Sequence, residues 1–270
     1  MIDRYFLEVS VNVRNVAIAV TLNGVLLVEE REGRGYRETL PVNHWLKRSN
    51  NLLQVTLTSA RSVGSSPAAQ DSAPAKKNQV EVTLFLHDTK AETPKSALNL
   101  AQFVRPSNGA PISAPHAWSQ SIATTLQNLP ATRLWQYATP LDGLSQQDRQ
   151  EMSAVVHLLG RSLSQKRLEE AFQLMQIRYL DEATAQDKDP LRLKNAVLKL
   201  WRDMLAADGI QYREAPADQL KFQIMGEQNL VQVCRADGSS ALKFELPAEG
   251  LSYEIPTYFA LISKRWMIVR

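Results

Sequence analysis

The side chains of this chain best suited to acid–base chemistry are His157, Tyr179, Asp181, Glu182 and Asp203. A histidine flanked by Val156 and Leu158 can act as a base near neutral pH, and nearby carboxylates could orient it or share its proton. A plainer reading competes with that one. Asp181 and Glu182 fall toward a helix end beside Asp187 and Asp189, where carboxylates are ordinarily solvated. A lone histidine on an apolar helix is more often a satisfied core residue. No motif binds these residues into a machine: the sequence has no Gly-x-Ser-x-Gly elbow, no phosphate-cradling glycine loop with Lys and Ser/Thr, and no His-Glu-x-x-His. Gly33-Arg34-Gly35 lacks the third glycine of a dinucleotide site and is explained by a hairpin loop. We therefore expect a non-enzymatic protein with no catalytic residue and no cofactor.

Metal chemistry is not expected either. Cys234 is the only cysteine, which excludes an intrachain disulfide and a cysteine-rich zinc site. It lies in the apolar run Leu230-Val-Gln-Val-Cys234 and reads as an inert core thiol. His44, His87, His116 and His157 are scattered, with no pair at the i, i+4 spacing of a helical metal site.

Charge narrows the partners. Residues 1–110 carry 13 Lys+Arg against 10 Asp+Glu, and the remainder carries 18 of each, so the net +3 is spread thinly. The doublets Lys47-Arg48, Lys76-Lys77 and Lys264-Arg265 lie apart, whereas counterion release on nucleic acid needs a concentrated basic face. No nucleic acid is expected. The start, Met1-Ile-Asp-Arg-Tyr-Phe-Leu-Glu8, carries charges where a signal peptide needs apolar residues, and no run reaches the roughly 18 apolar residues of a membrane span. A cytoplasmic protein that does not enter membranes is the expectation.

The elements that would position these groups change character along the chain. From Phe6 to Val13 polar and apolar residues alternate, the period of a half-buried strand. Asn23-Gly24 between Ala17–Leu22 and Val25–Val28 is a type I′ hairpin signal, because that turn needs positive φ at both central residues. Glu32-Gly-Arg-Gly-Tyr36 marks another reversal; segments 40–46, 51–57 and 79–86 continue the strands. Such density predicts an antiparallel β-sandwich over residues 1–115. Trp45 is expected in its core, which weighs against a sugar-stacking platform with Tyr36. Residues 62–78 have no periodicity and read as a flexible loop. Prolines 106, 111, 115, 130 and 140 mark a crossing between the two parts, placed as a connecting segment at 116–144 whose Trp118 and Trp135 would pack against both halves.

The succession Leu22-Asn-Gly-Val25, Leu40-Pro-Val-Asn43 and Trp45-Leu-Lys-Arg-Ser-Asn-Asn-Leu-Leu-Gln-Val-Thr-Leu57 resembles the galactose-binding-like jelly roll. That family has an Asn-Gly hairpin followed by Leu-Lys-x-Gly-x-Asn-x-Leu-x-Val; here Ser49 stands where glycine is usual. The resemblance covers residues 5 to 90 and implies a fold rather than an activity.

Residues 145–270 read as helices followed by a curved antiparallel sheet, so the whole is α+β. Ser145-Gln-Gln-Asp148 is a helix start, with Met152, Val155, Val156 and Leu159 as the stripe. Ser164 would cap a second helix carrying Leu168, Phe172, Met175 and Tyr179. Asp189-Pro190 opens a third, with Leu193, Val197, Leu200, Trp201 and Met204 inward and Asp208-Gly209 as its stop. Strands follow at 220–225, 230–235, 241–246, 253–262 and 265–270. The closing pair, Phe259-Ala-Leu-Ile262 and Trp266-Met-Ile-Val-Arg270, is similar to the last hairpin of the nuclear transport factor 2-like fold. That resemblance implies a pocket between helices and sheet, open to a ligand if His157 or Asp203 lines it and closed if Phe172, Trp201 and Tyr258 fill it.

Two modules without chemistry favour protein binding. The whole chain looks like the immunity partner of a type VI secretion nuclease effector, although nuclease inhibitors are often acidic. The alternatives are a small-molecule enzyme or ligand-binding protein using the C-terminal pocket, and an adaptor or structural part of a secretion machine. A homodimer is also compatible with the sequence. Recognition is expected on hairpin loops of the second sheet, through Glu227, Gln228, Arg235, Asp237 and Ser239.

Overall fold

A computed structural model describes residues 5–31, 33, 35–47, 50–58, 79–88, 98–105, 116–122, 132–227 and 229–270. The 62–78 segment and Gln228 lie outside the described residues. The chain divides into two compact units, Met1–Pro130 and Ala131–Arg270.

The first unit is antiparallel throughout. Its strands are β1 (Tyr5–Arg14), β2 (Ala17–Leu22), β3 (Val25–Glu30), β4 (Tyr36–Pro41), β5 (Asn51–Thr58), β6 (Gln79–Asp88), β7 (Leu98–Arg105) and β8 (His116–Ile122). They form two four-stranded sheets, ordered β4-β1-β6-β7 and β3-β2-β5-β8. The period of two reappears as burial: Leu7, Val9, Val11 and Val13 of the first sheet, and Ile18, Val20, Leu22, Leu53, Val55 and Leu57 of the second, are at most 1% exposed. Phe103 meets Trp118 across the sheets at 5.3 Å between ring centroids. Asn23 and Gly24 both have positive φ, 54° and 73°, as the hairpin reading requires.

Three expectations need correction here. The expected connecting segment 116–144 does not begin at 116: His116–Ile122 pairs along β5 as a full strand of the sandwich, so Trp118 belongs to the first unit. Trp135 lies in a short helix of the second. Segment 40–46 is not one strand, because β4 stops at Pro41 and Asn43–Trp45 form a 3-10 turn that buries Trp45. The reason is polar. Asn43 Oδ1 accepts from Leu7 N at 2.7 Å. Asn23 Nδ2 donates to Trp45 O and Asn51 Oδ1, both at 2.8 Å, and Asn23 Oδ1 accepts from Leu52 N. Buried amides that satisfy backbone groups in this way pin a turn where a strand would leave them unpaired.

The second unit begins with α1 (Arg133–Tyr137), α2 (Gln146–Ser164), α3 (Leu168–Leu174), α4 (Gln176–Ala185) and α5 (Pro190–Met204). Ser145 caps α2 in a capping box with Asp148, whose Oδ1 also accepts from Trp266 Nε1 at 2.9 Å. Ser164 does not start a helix. It ends α2, its hydroxyl donating to Gly160 O, and the chain turns through Lys166 at φ 57°. Lys166 N and Arg167 N donate back to Leu163 O and Ser162 O, the paired bonds of a Schellman stop. The expected second helix is two, α3 and α4, broken at Met175 (φ −106°, ψ 10°). Residues seven apart on an unbroken helix are about 10 Å apart along the axis. The break lets Phe172 and Tyr179 stack at 5.3 Å and 10°. Asp189 caps α5 as expected, but Leu200 points outward at 65% exposure while Leu198 is buried in its stead.

The strands are β9 (Gln211–Tyr212), β10 (Leu220–Met225), β11 (Leu230–Arg235), β12 (Leu242–Leu246), β13 (Leu251–Ile255), β14 (Thr257–Ile262) and β15 (Arg265–Ile268). They make two antiparallel sheets, β10-β11-β14-β15 and β13-β12-β9. The run 253–262 is thus two strands in different sheets, divided at Pro256, which has no N–H for a ladder. No helix among the described residues is long and apolar enough to cross a membrane.

Candidate functional site

The acid–base candidates do not converge. Asp181 is not solvated at a helix end: it is 1% exposed and paired with the equally buried Arg270 at 3.3 Å. Its Oδ2 also accepts from Leu134 N, and Arg270 Nη2 donates to Thr132 Oγ1. Burial pulls the Arg270 pKa down to about 10, against the opposing pull of the Asp181 carboxylate. Asp203 lies on the outside of α5 in an i, i+4 pair with Lys199. His157 Nε2 is 3.0 Å from Ala215 O and its Nδ1 is 3.6 Å from Glu214, which Arg161 grips through two nitrogens at 2.9 and 3.1 Å. His157 thus holds the 213–216 segment against α2. Arg270 and Glu214, the partners that decide these roles, stand 89 and 57 residues away in sequence and leave no local signal.

Rings close the space between α3, α4 and α5: Phe172, Tyr179 and Trp201 are at most 8% exposed, belong to one apolar core with Phe259 of the sheet, and Tyr179 meets Trp201 edge-on at 6.0 Å. Tyr258, beside Phe259 on β14, is also buried. Burial raises the pKa of both tyrosines.

The recognition residues named from the sequence fall at two places rather than one. Glu227, exposed at φ 56°, is in the β10–β11 turn, while Arg235, Asp237 and Ser239 are in the β11–β12 turn. The six residues of β11 separate the turns by about 20 Å. The β11–β12 turn is rigid. Asp237 Oδ1 accepts from Ser239 N and Oγ at 2.9 and 2.7 Å, and this holds its carboxyl below the usual range. Arg235 is not a free reader: its guanidinium donates to Ser240 O and Arg213 O, so it braces the loop. Ala236, Asp237 and Gly238 are the exposed tip. Cys234 is half-buried rather than core, and burial raises its thiol pKa.

Two features escaped sequence reasoning. One is an open cleft of about 610 Å³ lined by Arg161, Tyr212, Glu214 and Phe244 with the 205–211 segment. The buried Tyr212 hydroxyl has no hydrogen-bond partner among the described residues, and burial, then Glu214, pushes its pKa up to about 12. Its ring lies over Gly160 of α2, where a Cβ would fall 2.1 Å from Tyr212 Cζ. The other is β13. Leu251, Tyr253 and Ile255 pair with Leu246, Phe244 and Leu242, and directly opposed residues share a face. Those β12 partners are at most 3% exposed, yet Leu251 is 50% and Tyr253 39% exposed. The apolar cover ends one strand short of the sheet edge. Compared with known proteins, the chain matches no family model, no curated protein and no solved structure.

Proposed function

We propose that this chain is a non-enzymatic protein-binding protein, acting through its surface rather than an internal site. One observation carries the reading: the interior of the second unit is one closed apolar core, in which the Phe172–Tyr179–Trp201 stack is packed between α3, α4 and α5. Asp181 and His157 are engaged in bracing the fold, and Asp203 lies in a surface pair with Lys199. The rigid β11–β12 turn supports it, since a preorganised loop loses little entropy on docking. The specific form we propose is a cytoplasmic immunity protein that occupies a type VI secretion toxin, built from a galactose-binding-like sandwich and a nuclear transport factor 2-like unit. A secretion-system adaptor would use the same surfaces. The test is capture of a stoichiometric partner from the native cell by the wild-type chain, repeated with Ala236→Arg, which adds bulk at the exposed tip without touching its bonds. A partner retained by the wild type and weakened by the variant supports the reading; equal capture removes the turn as the site.

A specific observation favours a second reading, ligand binding in the Tyr212 cleft: a buried hydroxyl without a protein partner costs about 1–3 kcal/mol, which a ligand acceptor would recover. Under that reading a small molecule raises the melting temperature of the wild type but not of Tyr212→Phe.

A further inference from the structure

The bare edge of β13 has a sequence that fits itself. We propose that two copies of this chain pair antiparallel through β13, about a two-fold axis at Tyr253, to join their three-stranded sheets. The strand carries few of the protections that usually blunt an edge: it has no lysine, no internal proline and no bulge, its one charge is Glu254, and its five residues pair with β12 in unbroken register. Among the described residues, β12 is its only neighbour in the sheet.

The bounds of the strand select the register. On one side is the 247–250 turn, closed by Glu249 N donating to Leu246 O; on the other is Pro256, which cannot donate to a ladder. Only pairing centred on Tyr253 uses all five residues. It sets Leu251 against Ile255 of the second copy and Tyr253 against its own mate, so the apolar face of each copy, uncovered at Leu251 and Tyr253, continues into the other. On the opposite face it sets Ser252, a hydroxyl donor, against the Glu254 carboxylate. Centring on Glu254 instead would oppose two carboxylates, which is unfavourable. Glu254 already faces Lys243 of β12 and accepts from Ser240 N through Oε2 at 2.9 Å, which fixes the carboxylate and leaves Oε1 for Ser252 of the second copy. Isologous pairing needs self-complementarity, and this segment has it. The dimer edge meets the β11–β12 turn only through Ser240, which donates to Glu254 and Ile255 O, and leaves the exposed tip at 236–238 outside the pairing, so self-association and capture of a partner at the tip are read by separate variants.

Sedimentation equilibrium of the full chain, over roughly a hundredfold range of micromolar concentration, tests it. The wild type is expected to rise from 30.3 kDa toward twice that mass. Ser252→Glu places a carboxylate opposite Glu254 twice per dimer and should weaken association roughly tenfold, whereas Ser252→Lys should strengthen it by a similar factor. Tyr253→Lys should abolish it. Both positions are exposed, and unchanged melting of the monomer verifies folding. A wild type that stays at 30.3 kDa throughout, or two Ser252 variants that shift association the same way, overturns the proposal; the first result leaves the edge to a strand from a different protein.

Discussion

Phe172, Tyr179 and Trp201 on one side of the second unit, and Leu251, Tyr253 and Ile255 on another, use the same kinds of side chain to opposite ends. The first group is closed on itself, each ring against another and all at most 8% exposed. The second lies on the core face of a sheet whose neighbouring strand is covered on that face; Ile255 still packs against the core, yet Leu251 and Tyr253 meet solvent. Apolar character alone therefore does not separate core from contact surface. What separates them is whether another element reaches the residue: α2 reaches β9, where Gly160 admits the Tyr212 ring, and the cover stops before β13.

The contrast can be broken at its buried end first. Trp201→Ala should cost about 3–5 kcal/mol, the range for emptying an aromatic from a packed core. Asp181→Ala should cost about the same by stranding the buried Arg270 charge. Denaturant midpoints measure both, and a loss below 1 kcal/mol for Trp201→Ala would mean the interior can collapse or fill with water. Next is Gly160→Ala. Alanine ordinarily stabilises a helix interior relative to glycine. Here the new Cβ would collide with Tyr212, itself held against Phe244 at 5.5 Å, so the expected sign reverses to a loss of about 1–3 kcal/mol.

Asp148→Ala should cost about 1–2 kcal/mol, because it removes a capping partner and the acceptor of Trp266 Nε1. Hydrogen bonds from the Ser145 hydroxyl and then from Trp266 lower the folded-state pKa of Asp148. Its contribution is therefore complete above the unfolded carboxylate pKa and fades as pH falls through the folded value. The wild type should lose more stability than the mutant between neutral and strongly acid pH; parallel profiles would show the box contributes nothing. Smallest is Tyr253→Lys, expected within about 0.5 kcal/mol in the monomer because no core element covers the ring. A larger loss would place β13 in the core.

Much of this architecture was legible in local sequence. Alternation from Leu7 to Val13 gave the buried face of β1, Asn23-Gly24 gave its turn type, and Ser145 and Asp189 gave two helix starts. What stayed illegible depends on partners distant in sequence. Asn23 reads as a turn residue, and its side chain also joins Asn51 and the Trp45 carbonyl inside the sandwich. Asp181 reads as solvated until Arg270 is brought to it. Arg235 reads as a recognition residue until its bonds to Ser240 and Arg213 appear. Glu227 and Asp237 look adjacent in a list of loops, but β11 holds them at opposite ends. The bare face of β13 was hidden for a related reason: alternation marks Leu251, Tyr253 and Ile255 as inward and does not say where the helical cover ends.

The central claim, binding through surface with a filled interior, is tested most directly by capturing partners from the native cell with wild type and Ala236→Arg in parallel, and quantifying stoichiometry. The expected result is a protein recovered near one-to-one with the wild type and depleted with the variant, at equal melting temperature of the two baits. Recovery of no stoichiometric protein, together with a small molecule that protects the wild type through Tyr212, would contradict it.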